Sequence, residues 1–91
     1  MTISEPATAT VGVTSATVLA ASSSREGLII RNTSTGSKTI SLGLEGYAAI
    51  LNRGITLESG DVFCMSKTDY TAGAITAICS VAAGTLAIQE F

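Results

Sequence analysis

The side chains able to do acid–base, nucleophilic or metal chemistry in this sequence are few. There is no histidine, and there are two cysteines, two tyrosines, five basic residues and seven acidic ones. Without histidine the commonest general base and the commonest metal ligand are both missing. Cys64 and Cys79 therefore have no imidazole to activate them. They form no CxxC pair and sit within the apolar runs FCM and AIC, so both are expected to be buried thiols rather than a disulfide or a metal site. The carboxylates are Glu5, Glu26, Glu45, Glu58, Asp61, Asp69 and Glu90. They occur singly, mostly in expected turns, where a paired acid and base would have to be assembled from distant positions. The glycines also fall singly between apolar runs, so no phosphate-cradling loop is present. The sequence predicts no enzyme, no cofactor and no metal. Asn32-Thr33-Ser34 matches a glycosylation acceptor and is read as a turn.

The basic residues Arg25, Arg31, Lys38, Arg53 and Lys67 are scattered through a chain of net charge −2. No cluster could neutralise a run of phosphates, so nucleic acid is not an expected partner. A polybasic or amphipathic membrane-binding segment is missing too. No apolar run is long enough to cross a bilayer as a helix. The apolar stretch 13–22 follows Glu5 with no Lys or Arg before it, unlike a signal peptide, so synthesis in the cytoplasm is expected. Arg25, just before the strand at 28–31, is a candidate for a structural role with Glu26, Asp69 or Glu90 as partner, and reads by default as an ordinary solvated or paired arginine. Tyr47, in EGYAAIL, and Tyr70, in KTDYTAG, both fall in expected loops. A loop tyrosine serves either as a partner contact or as a plug at the open end of a sheet pair. For Tyr47 both readings stand, and for Tyr70 the plug is preferred.

These side chains must be carried by strands. Val, Ile and Thr are frequent, and Gly, Ser, Asn or Asp separate short apolar runs. Residues 1–9 contain Pro6 and one large hydrophobe, Ile3, and read as an extended arm before a single domain over 10–91. Val11 and Val13 alternate with Thr10, Gly12 and Thr14 as in a half-buried strand, and 17–21 suggests a second. An apolar strand follows at 28–31, then a turn over 32–37 centred on Gly36. Ile40, Leu42 and Leu44 alternate with Thr39, Ser41 and Gly43, predicting one core face and one small polar face. Residues 46–51 form an apolar loop. Further strands are expected from Ile55, over 62–66, over 75–79 and over 85–91. About eight short strands with turn signals every ~8–12 residues predict an all-β fold, a small antiparallel β-sandwich or jelly roll.

Apolar residues make up 46% of the chain and charged residues only 13%, against about 25% charged in ordinary soluble domains. That shortfall, in a 91-residue chain, points to surface covered by partners. In 62–65 both faces are apolar, with Val62 and Cys64 on one and Phe63 and Met65 on the other. One face is expected to line the core and the other to meet a neighbour. The sequence thus predicts a homo-oligomer, with a trimer preferred. Candidate partner contacts are Ile3, Pro6, Tyr47, Ile50, Leu51, Phe63 and Met65, with Ile3 as the anchor of an arm that reaches a neighbouring subunit.

Several segments together carry a resemblance over about residues 10–91. They are an Arg-x-Gly segment leading into an apolar strand that ends in Asn (25–32), Ile-x-Leu-Gly (40–43), Leu-x-x-Gly (57–60), Tyr-Thr-x-Gly-Ala-Ile (70–75) and a last strand ending near Glu (86–90). In this order the chain resembles small virion proteins of tailed bacteriophages, in which such β-sandwich modules serve as capsid decoration (cement) proteins, head fibres and tail components. These are framework residues, not an active site, so the resemblance bears on fold before role. It implies a decoration protein made in the host bacterial cytoplasm and bound to the major capsid protein on the virion surface. The alternative it leaves open is a tail, baseplate or head-fibre module that binds a host receptor or glycan.

Overall fold

Leu28, Ile30 and Asn32 are buried while Ile29 and Arg31 between them are exposed, the two-residue period of a strand with one face on a core. The computed structural model describes residues 7–23, 25–66 and 73–91. These form eight strands: β1 (Ala7–Val11), β2 (Ala16–Leu19), β3 (Leu28–Asn32), β4 (Ile40–Gly43), β5 (Ile55–Leu57), β6 (Val62–Met65), β7 (Ile75–Cys79) and β8 (Gly84–Glu90). They make two four-stranded antiparallel sheets, ordered β1-β8-β3-β6 and β2-β7-β4-β5.

The pairs β1–β8, β2–β7, β3–β6 and β4–β5 are those of one long hairpin. Rolling that hairpin brings β8 against β3 and β7 against β4. This is the strand order of a jelly roll, and it decides between the two all-β architectures expected from the sequence. Between the sheets lie Val11, Leu28, Ile30, Met65, Leu86 and Ile88 from one side and Ile40, Leu42, Leu57, Ile75, Ala77 and Cys79 from the other. Each fully buried Leu or Ile contributes about 1.5–3 kcal/mol of transfer free energy.

Three local expectations need correction. The first strand is Ala7–Val11, so Ala7, Thr8 and Ala9 pair with β8 instead of belonging to an arm. Val13 lies beyond that strand and is exposed. The chain leaves the first sheet at Gly12, whose carbonyl accepts the N–H of Cys79 at 2.8 Å. Second, Asn32 is not a turn residue but the fully buried end of β3. Its Nδ2 donates to the carbonyls of Lys38 (3.0 Å) and Leu57 (2.9 Å), and its Oδ1 accepts the Ser34 N–H (3.0 Å). The acceptor nitrogen of the sequon is thereby enclosed. Third, the small polar face of β4 does not meet water. Ser41 and Gly43 are as buried as Ile40 and Leu42, because the loop over residues 44–54 lies across them.

Candidate partner-binding surface

The 44–54 loop begins with a tight turn at Glu45 and Gly46, both with positive φ (56° and 78°). The Tyr47 N–H closes it on the Leu44 carbonyl at 3.1 Å, and glycine at the second position meets the left-handed backbone at no steric cost. The chain then doubles back over the outer face of β4 and β7. A Cβ on Gly43 would overlap the Tyr47 carbonyl and Thr76 Oγ1 and approach the Ala49 nitrogen to 3.0 Å. Glycine here is what allows the loop to lie flat on the sheet. Thr76 Oγ1 donates to the Tyr47 carbonyl (2.6 Å), Ala49 N–H to Ser15 Oγ (2.8 Å) and Asn52 N–H to Ser41 Oγ (2.9 Å). Gly46 N–H donates to the Ala74 carbonyl (2.9 Å) and Arg53 N–H to the Ile50 carbonyl (3.0 Å).

Ala49 is the loop's buried side chain, while Tyr47 is 77% and Ile50 53% exposed. Leu51 is half-buried. A backbone tied to the sheet at several points thus presents an aromatic and a branched aliphatic side chain to solvent. Such a surface gives up little conformational entropy when a partner covers it.

On the other sheet Phe63 and Met65 face inward. Met65 is buried, Phe63 is half-buried, and both pack on the core. Register puts both on the inner face, since Phe63 pairs with Ile30 and Met65 with Leu28. Met65 is enclosed there, while Phe63 keeps a partly exposed side that a neighbour can cover. The outward pair is Val62 and Cys64. Cys64 is exposed and Cys79 buried, both as free thiols, so the expectation of two buried thiols holds for Cys79 alone. Ile29 stands beside Cys64, and Arg31 beside Val62.

Arg25 is buried rather than solvated, and Glu90 is a partner as the paired reading expects. It donates to Glu90 Oε2 (3.4 Å), to the Gly73 carbonyl (3.1 Å) and to the Ala20 carbonyl. It therefore ties the segment before β3 to the end of β8 and to the approach to β7. Ile3, Pro6, Asp69 and Tyr70 lie outside the described residues.

What the described residues define is a jelly-roll frame bearing exposed apolar side chains on one pinned loop and on one sheet edge. Compared with known protein families the chain matches none, and compared with curated proteins it again matches none.

Proposed function

We propose that the chain is a capsid decoration (cement) protein of a tailed bacteriophage, bound to the major capsid protein on the outside of the shell. The observation that carries this reading is the pinned 44–54 loop with Tyr47 and Ile50 exposed upon it. The framework resemblance over residues 10–91 supplies the setting. The work of such a protein is mechanical. It covers apolar surface across the seam between capsid subunits, and separating the subunits re-exposes that surface. Covering Tyr47 and Ile50 contributes about 3–5 kcal/mol before binding costs. Many copies acting together stabilise a shell far beyond what one contact does.

Particles stripped of the protein provide the test. Wild-type protein is expected to rebind them, and a Tyr47→Ser, Ile50→Ser variant to bind at least about 100-fold more weakly. Its unfolding midpoint should be nearly unchanged, because both side chains are mostly in water. Equal binding by the folded variant would remove the loop from the interface. Binding of the wild type to host cells and not to capsids would favour the receptor-binding alternative.

A further inference from the structure

Each sheet of the jelly roll ends in two edge strands, and both edges of the second sheet carry a device that discourages pairing. β2 has a register irregularity between Thr17 and Leu19. β5 is only three residues long. In the first sheet β1, with sequence ATATV, offers a second copy no large apolar side chain, its Val11 being buried in the core. β6, with sequence VFCM, has no proline, glycine, charge or bulge, and its register against β3 is regular. No strand among the described residues pairs with its outer side.

The direction of its free backbone groups follows from the ladder. Asn32 N–H donates to the Asp61 carbonyl, and the Asn32 carbonyl accepts Gly60 N–H. Asn32 therefore turns both groups toward β6, while Thr33 N–H turns toward Thr85 on the β8 side. Antiparallel strands alternate in this respect. Ile30 and Leu28 thus bond Phe63 and Met65, and the N–H and C=O groups of Val62 and Cys64 point to the open edge.

We infer that β6 pairs with β6 of a second copy of this chain, antiparallel and centred on Phe63, to give a two-fold dimer with one continuous eight-stranded sheet. In that register Val62 of each copy forms a hydrogen-bonded pair with Cys64 of the other. Phe63 faces Phe63 of the second copy in the close, non-bonded pairing. Two features favour a second copy as the occupant. Phe63 is half-buried, its inner side on the core, and an aromatic cross-strand pair covers the remainder. No charge lies in β6 to oppose its own image, so self-pairing of an acidic chain meets no repulsion at the contact. The two-fold axis runs through the sheet, perpendicular to it, so both 44–54 loops emerge on the same side of the dimer. This pairing is two-fold, whereas the sequence reading prefers a trimer.

Sedimentation of the full chain across the micromolar range tests this, and a monomer–dimer equilibrium is expected. Cys64→Pro removes an outward N–H that the β3 ladder does not use, and an edge strand tolerates proline there. The folded variant should be monomeric. Separately, V62C places a thiol opposite native Cys64 of the other copy, and mild oxidation should give a covalent dimer on non-reducing gels. Three results would overturn the inference: a wild-type chain that stays monomeric or forms trimers, a folded Cys64→Pro variant that still dimerises, or an oxidised V62C protein that does not cross-link. If Cys64→Pro fails to fold, the cross-link decides.

Discussion

Asn32 is the residue whose replacement tests the fold most sharply. It is fully buried, donates to the carbonyls of Lys38 and Leu57 and accepts from Ser34 N–H. Asn32→Ala removes all of these bonds, each with a net value of about 1 kcal/mol, and withdraws the partner of a buried N–H as well. The expected loss is about 3 kcal/mol, a large part of the ~5–10 kcal/mol typical of a domain this size. With a urea slope of about 1 kcal/mol/M, the unfolding midpoint should fall by roughly 3 M at constant slope. Asn32→Asp discriminates further. It is nearly isosteric and keeps an acceptor for Ser34, but it turns an ionised oxygen toward two carbonyl oxygens. Although it is the smaller change in shape, it should be at least as destabilising as alanine at neutral pH. An Asp variant as stable as wild type would refute the assignment of the carboxamide as the donor that joins β3 to the 38 and 57 carbonyls.

Two other substitutions separate the frame from the surface it displays. Gly43→Ala sets a methyl group against the Tyr47 carbonyl and Thr76 Oγ1. It should cost about 1–3 kcal/mol in denaturant unfolding and also weaken particle binding, although Gly43 itself is buried. Arg25→Met keeps the apolar stem but gives up the bonds to Glu90, Gly73 and Ala20, and a loss of about 2–3 kcal/mol is expected. Arg25→Lys should recover only part of it, because an ammonium group cannot span those acceptors as a planar guanidinium does.

The strands were legible wherever one parity of residues is apolar and the other is not. Ile40 and Leu42 against Ser41 and Gly43 announce their core face directly. Val62–Met65 is apolar at every position, so its inward face depends on register with β3, which local pattern does not encode. Burial of Ser41, Gly43 and Thr76 depends on a loop that returns over the sheet, and their small size is the only trace of it in the sequence. The burial of Arg25 is hidden for a related reason. Glu90 is a partner the sequence offers, but Arg25 also donates to the Gly73 and Ala20 carbonyls, and backbone carbonyls are possessed by every residue and revealed by no side-chain pattern. In the candidate surface Tyr47 and Ile50 were legible as apolar residues in a turn-rich segment. The hydroxyl contacts from Ser15, Ser41 and Thr76 that hold their loop were not.

Heat resistance of the particle tests the central claim most directly. Purified virions with the protein, virions lacking it, and the latter after wild-type protein is added back are heated in parallel while DNA release is followed by dye fluorescence. Particles lacking the protein should release DNA at a lower temperature, and added wild-type protein should restore the original one. Identical release temperatures in all three samples would contradict a cementing role.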